Sequence, residues 1–288
     1  MAAWSGTEQA FITEQRFSNP MARTVRLGEV DLDRFDRSRR IEWLDLDAVS
    51  EARVLMVGAG ALGNEVAKDI ALSGFGSVTV VDMDRVVRSN LNRCLFFSEQ
   101  DAQTRRNKAE AVADGIVRIS PGCKVEPFVG RIQDMPPLVF AEHDVVLGCL
   151  DNVDARIHVN AHAYTHGRLY IDGGMDGMRG KVMVVAPPGG ACLQCGMNRT
   201  HAKVANARFS CTGSGVVFHE PRLAAEITTT SVISAIMVRE ALKAVSGRTD
   251  LMLKNTFFYD GESNRAEELE VEPDPDCPVH PRGSTSYR

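Results

Sequence analysis

The residues of this chain best suited to chemistry are three glycines, two cations and two carboxylates at fixed intervals. Gly58-x-Gly60-x-x-Gly63 follows the apolar run 54–57 and opens an amphipathic stretch. Glycines in that position let a backbone approach phosphates, and a helix N-terminus adds unpaired N–H groups and a positive dipole end. Asp82, nineteen residues past Gly63 and at the tip of the apolar run 78–81, is placed to hold a ribose hydroxyl. The turn alone would serve an NAD(P)-dependent oxidoreductase equally well. Arg93 and Lys108, fifteen residues apart, shift the reading to a ligand with more phosphate charge. The competing reading leaves both as solvated surface cations.

Between Asp82 and Lys108 stands Ser89-Asn90-Leu91-Asn92-Arg93. Amides and a guanidinium crowded at the C-terminal edge of a sheet suit a triphosphate: Arg93 forks onto oxygens while the amides fix the turn. Asp151 follows the apolar run 145–150 and faces the same crevice. A lone carboxylate beside phosphates is the usual magnesium arrangement, with water in the other ligand positions. Asp151 would also serve as the N-cap of the following helix.

These groups need a scaffold, and the sequence predicts one. Continuous apolar runs alternate with helical periodicity, as strands buried on both faces of a parallel sheet require. Strands are expected at 54–57, 78–81, 124–129, 144–150, 169–172, 181–186 and 252–259. Helices are expected at 34–46, from 61 to the glycines at 74 and 76, at 104–119 with Thr104 as cap, at 153–166 and at 223–246. The fold class is α/β, a doubly wound, mostly parallel, Rossmann-like sheet in one domain. Residues 1–33 read as an N-terminal arm, and 34–288 as the domain, with a long loop at 187–221 and an acidic tail at 265–288.

Composition sets the limits. The 288 residues are 44% hydrophobic and 25% charged, ordinary values for a globular chain with a full core. A net charge of −5 leaves no basic stripe for nucleic acid. No apolar block suits a bilayer or a secretory signal, so a cytoplasmic protein is expected. Seven cysteines, with Cys192-x-x-Cys195 among them, read as reduced metal-binding or catalytic thiols. That pair and Cys277-Pro278-Val279-His280 would close a tetrahedral Cys₃His zinc site, stapling loop to tail. The bland alternative is unmetallated thiols and a surface histidine. Cys211 lies in a Gly/Ser/Thr-rich stretch with few apolar neighbours, which suits a reactive thiol better than a packed one. Cys94, Cys123 and Cys149 read as packed thiols. His158, His162 and His166 share a helix face without an acidic partner.

In order and spacing, Gly58-x-Gly60-x-x-Gly63, Asp82, Ser89-Asn90-Leu91-Asn92-Arg93, Lys108 and Leu150-Asp151-Asn152 resemble the ThiF/MoeB superfamily. These are the adenylating enzymes for ubiquitin-like and sulfur-carrier proteins. The resemblance covers about residues 34–280. It implies an ATP·Mg²⁺ enzyme joining AMP to the C-terminal glycine of a small β-grasp protein, with Ser89, Asn90, Asn92 and Asn152 among the nucleotide-binding residues. It further implies a dimer, read here as a homodimer, in which a neighbour's N-terminal arginine reaches the phosphates. Arg37 is the candidate, with Arg34 and Arg40 as competing alignments. Members commonly carry two Cys-x-x-Cys pairs, and here His280 replaces the fourth cysteine. Cys94 stands where Gln is usual.

The position of Cys211 resembles the thioester-forming cysteine of ubiquitin-type activating enzymes, which implies a conjugating enzyme as a possible later partner. The chemistry agrees independently. A carboxylate attacking an α-phosphate meets like charge, so cations and positioning must carry catalysis. The alternatives are a sulfur-carrier adenylyltransferase without an obligatory thioester, a non-catalytic partner subunit and, more remotely, an oxidoreductase.

Overall fold

The computed structural model describes residues 33–196 and 226–280, and every structural statement below concerns these. The strands are β1 (Arg53–Val57), β2 (Ser77–Asp82), β3 (Lys124–Val129), β4 (Val145–Gly148), β5 (Leu169–Asp176), β6 (Arg179–Val185), β7 (Thr256–Asp260) and β8 (Arg265–Leu269). The helices are α1 (Leu46–Glu51), α2 (Ala61–Ser73), α3 (Glu99–Thr104), α4 (Lys108–Ile119), α5 (Val153–Thr165) and α6 (Ile227–Val245). All eight strands form one sheet in the order β3-β2-β1-β4-β5-β6-β7-β8.

The sheet is mixed. β3, β2, β1, β4 and β5 pair in parallel, and β6, β7 and β8 extend them antiparallel. The parallel part therefore ends at β5, earlier than a mostly parallel sheet implies. The strand order turns back between β1 and β4, which opens a crevice beyond their C-terminal ends. Apolar side chains of β1 alternate between two cores. Val54 and Met56 face α2, α4 and α6, while Leu55 and Val57 face the side covered by α5. Among the described residues no helix is long and apolar enough to cross a membrane.

Four elements differ from expectation. Residues 34–46 are not a helix. They form turns and a short 3-10 segment at Ser38–Arg40, and α1 starts only at Leu46, where the Asp45 side chain accepts from Asp47 N and Ala48 N. A side chain competes with helix formation there: Asp33 accepts from Phe35 N at 2.8 Å and pairs with Arg39. The segment 104–119 is also interrupted. Thr104 ends α3 rather than capping a helix, Arg105 turns left-handed at φ 53°, and α4 begins at Lys108. The cause is tertiary: Val86 N bonds Arg106 O at 2.8 Å and Arg85 bridges Asn107, drawing this stretch out of helix. β7 begins at Thr256 rather than at 252. β8 lies inside the stretch read as a tail; all its residues are exposed, so it carries no apolar alternation to reveal it.

Candidate nucleotide and metal sites

The glycine turn is built by exclusion. Gly58 adopts φ +102°, and a Cβ there would lie 2.4 Å from the Cys149 carbonyl oxygen. A Cβ on Gly63 would lie 2.1 Å from the Gly58 carbonyl oxygen, so α2 can start this close to β1 only with glycine. Gly60 differs, because its Cβ would point into open space. Its φ of −74° is ordinary and it is the N-cap of α2, so local packing does not demand a glycine. The space beyond it lies open at the N-terminus of α2, where a helix favours an anion.

Asp82 ends β2 beside this turn. Its Oδ2 accepts from Ala59 N and its Oδ1 from Asp84 N, both at 2.7 Å. Burial pushes its pKa up, opposed by the nearby Lys108 charge and the two N–H donors. Asp82 thus braces the turn while presenting its remaining lone pairs at the crevice. Lys108 opens α4, and its Nζ meets Asp84 Oδ2 at 2.7 Å with the lysine side chain only 12% exposed. Its backbone N–H also bonds the Asp84 carbonyl at 3.0 Å. Arg93 donates to the Ser89 carbonyl and to Asn92 Oδ1. Asn90 is buried, with its Oδ1 accepting from Val87 N at 3.1 Å, so this amide holds the turn itself. The charges of Arg93, Lys108 and Asp82 are all felt at Cys94, the residue that follows Arg93. The Cys94 thiol is buried, and burial pushes its pKa up to about 11 despite those cations.

Asp151 stands on the other side of the turn, just past β4, which neighbours β1. The N-cap of α5 is Asn152, whose Oδ1 accepts from Ala155 N at 2.8 Å. Asp151 is therefore not the cap. It is exposed, and among the described residues its carboxylate has no hydrogen bond or ion pair. A hard oxygen donor left available at the C-terminal edge of the sheet fits magnesium.

Sequence reasoning passed over three residues. Asn64 is fully buried; its Nδ2 donates to the carbonyls of Ala59 and Gly60, and its Oδ1 accepts from Phe96 N at 2.9 Å. It locks the glycine turn to the segment carrying Arg93, and a lone amide on an otherwise apolar helix face was its legible sign. Asp84 was legible as the second acid of Asp82-x-Asp84. Arg156 gave no such sign, because its partners Asp172, Leu150 and Gly173 gather only in the fold.

Of the competing arginines, Arg34 donates to the Ile119 carbonyl at the end of α4, and Arg40 pairs with Asp36. Arg37 points outward, 59% exposed, with Asp36 at 3.6 Å. Cys211 lies outside the described residues. The α5 histidines stack around Phe140, His162 most nearly parallel to it at 5.4 Å. An open cleft of about 450 Å³ lies between Trp43 and Arg248, where α1 leads into the N-terminal end of β1. It is thus on the sheet edge opposite the glycine turn, and its Arg39 and Arg248 are paired with Asp33 and Asp250.

Cys192, Cys195, Cys277 and His280 form a second cluster, their ligand atoms all within 4.8 Å of one another. Cys192 and Cys277 sulfurs are 3.5 Å apart, Cys195 and Cys192 3.8 Å, and Cys195 Sγ lies 3.5 Å from His280 Nε2. A tetrahedron with Zn–S bonds of about 2.3 Å has edges of about 3.8 Å. Three thiols and an imidazole at these spacings fit zinc. The His280 ring stacks on Tyr164 at 4.8 Å, which orients the imidazole against α5.

Residues 34–279 match the family described as the ThiF family. The molybdopterin-synthase adenylyltransferase of Escherichia coli (strain K12) is 29% identical over 258 residues, covering 88% of this chain and 98% of that protein. The NEDD8-activating enzyme E1 catalytic subunit of Schizosaccharomyces pombe is 33% identical over 164 residues, covering 55% of this chain and 36% of the subunit. The chain thus matches about a third of that relative's length. E. coli MccB, crystallised with AMPCPP and MccA, superposes with a TM-score of 0.70 at 19% identity, covering 87% of this chain and 75% of that one. At that identity the likeness is one of fold.

Proposed function

The chain belongs to the ThiF family, and from that premise we propose that it is an adenylyltransferase activating the C-terminal glycine of a small β-grasp protein with ATP. The observation that carries this is the open space beyond Gly60, set between Asp82 and Lys108 on one side and Asp151 on the other. In this reading Asp82 holds the ribose and the turn with α2's N-terminus receives the phosphates. Arg93 and Lys108 supply positive charge, and Asp151 would hold Mg²⁺, which neutralises phosphate charge when bound. Asn152 contributes its remaining amide N–H groups.

The glycine carboxylate attacks the α-phosphorus, an acyl–phosphate bond forms, and the bond to pyrophosphate breaks. No protein base is required, because the nucleophile is already ionised. Two negative groups must meet, so the cations lower the barrier chiefly by electrostatics. Lys108 exchanges its Asp84 partner for phosphate, and Arg93 its carbonyl and amide partners.

The modifier in this reading is ubiquitin-like. Cys211 then attacks the acyl carbon as thiolate, its proton passes to solvent, and AMP leaves as the thioester forms. Arg37 would complete a neighbour's site in a homodimer, and a conjugating enzyme would accept the product. The zinc site joins loop to tail, and reduced thiols of this kind suit the cytoplasm. A sulfur-carrier substrate without an obligatory thioester is the second reading, supported by the near end-to-end match with molybdopterin-synthase adenylyltransferase.

ATP–pyrophosphate exchange with β-grasp proteins ending in glycine tests the reaction. Exchange should appear only with the correct protein, and indifference to the added protein would refute the proposal. Cys211→Ala separates the two readings: loss of thioester with exchange intact favours the ubiquitin-like one.

A further inference from the structure

We infer that Arg156 is a positioning residue for Asp151, setting the place of this carboxylate through the backbone carbonyl of Leu150; the inference rests on the adenylation reading above. Asp151's own side chain makes no hydrogen bond or ion pair among the described residues, although the Arg156 charge is felt there, so its place is set chiefly by the chain on either side. On one side Asn152 caps α5, and Arg156 N bonds the Asn152 carbonyl at 3.3 Å. On the other, the Leu150 carbonyl receives Arg156 Nε at 3.0 Å and Nη2 at 2.5 Å. The same guanidinium reaches the Gly173 carbonyl and Asp172 Oδ2, each at 2.9 Å. Asp172 is fully buried, and its second oxygen accepts from the Tyr170 hydroxyl at 2.7 Å.

Stability is a poor explanation for this arrangement. A buried arginine–carboxylate pair seldom outperforms apolar packing of the same volume, because both ions lose their hydration. Geometry is a better one. β4 and β5 pair up to Gly148 and Asp172. Leu150 lies past that last rung, where the ladder no longer fixes the chain. Arg156 takes over there, tying the emerging turn to Asp172 and Gly173 in the middle of β5. A rotated Leu150 peptide would swing the Asp151 backbone with it, so the arginine sets where the carboxylate can meet a metal beside the phosphates. Partners behind a metal ligand typically carry about 10–100-fold in metal affinity or activity.

The test is calorimetric binding of ATP, with Mg²⁺ and with excess chelator, to the full chain, its Arg156→Lys and Arg156→Gln variants, and the same changes combined with Asp151→Asn. The expected result is Mg·ATP affinity reduced about tenfold or more in Arg156→Gln, partly restored in Arg156→Lys, with metal-free ATP affinity little changed. In the Asp151→Asn background the Arg156 changes should have no further effect. Equal losses with and without Asp151, or with and without Mg²⁺, would mark Arg156 as merely structural and overturn the inference, as would unchanged affinity. Should Arg156→Gln fail to fold, Asp172→Asn keeps the arginine but removes the charge aiming it, and the same titrations decide. Failure of the unaltered chain to bind Mg·ATP at all would instead sink the adenylation reading.

Discussion

Gly60 and Gly63 look alike in sequence, yet the structure gives them different work. A Cβ on Gly63 would strike the Gly58 carbonyl, whereas one on Gly60 meets nothing within 4 Å. Gly63→Ala should therefore destabilise the fold by about 1–3 kcal/mol, as overpacking does. Gly60→Ala should leave thermal stability unchanged yet weaken ATP binding by about tenfold or more, since the methyl occupies the phosphate approach. Melting curves and nucleotide titrations on both variants measure the contrast, and equal melting losses would deny the open space its role. The cations make a second prediction. Truncating Arg93 or Lys108 to alanine should cost about 10²–10³ in the adenylation rate, the usual loss for one group facing developing charge. Lys108→Ala should leave the fold intact, because it removes an ion pair whose Asp84 partner is 56% exposed.

At the scale of elements, one side chain starts α6. Glu226 accepts from Thr228 N at 2.7 Å and Thr229 N at 2.5 Å, and from the Thr228 hydroxyl. Burial pushes its carboxyl up, but these donors outweigh it and bring the pKa down to about 2. A carboxyl lowered in the fold stabilises it fully above the unfolded value, about 4.3, and loses that contribution as pH falls toward 2. Glu226→Ala should cost about 0.5–2 kcal/mol at pH 7, and the difference between variant and parent should shrink to a fraction of that as pH falls toward 2. Denaturant melts at pH 7 and near pH 2.5 read it directly.

β1 and β2 were legible as continuous apolar runs, because burial on both faces favours apolar residues at successive positions. β8 was not, since its exposed residues pair through backbone alone. The break between α3 and α4 was hidden for another reason: the bonds of Val86 and Arg85 that draw it out are distant in sequence. The glycines, Asp82 and Lys108 announced themselves by spacing. Arg156 did not, because its partners, the Leu150 and Gly173 carbonyls and the Asp172 carboxylate, come together only in the fold.

In the whole molecule, α5 links two centres. Its N-terminus follows Asp151, and near its C-terminus Tyr164 stacks on His280 of the Cys₃His cluster. At 1.5 Å per residue a helix this long separates those ends by roughly 18 Å. The cluster lies beyond direct reach of the phosphates, but it grips the chain at Cys192 and Cys195, and Cys211 follows sixteen residues after Cys195. In the ubiquitin-like reading, zinc at this cluster should therefore govern the two proposed steps unequally. Elemental analysis should find one zinc per chain, and a strong chelator should lower the melting temperature by about 5 °C or more, because ligand binding to the folded state is part of its stability. Pyrophosphate exchange, assigned in the adenylation reading to Arg93, Lys108 and Asp151, should largely survive below the new melting temperature. Thioester formation on Cys211 should fall much further, since its segment loses an anchor. His280→Ala should reproduce this split, and His280→Cys should restore both metal and thioester. Equal loss of both steps would mean that the metal merely holds the fold together.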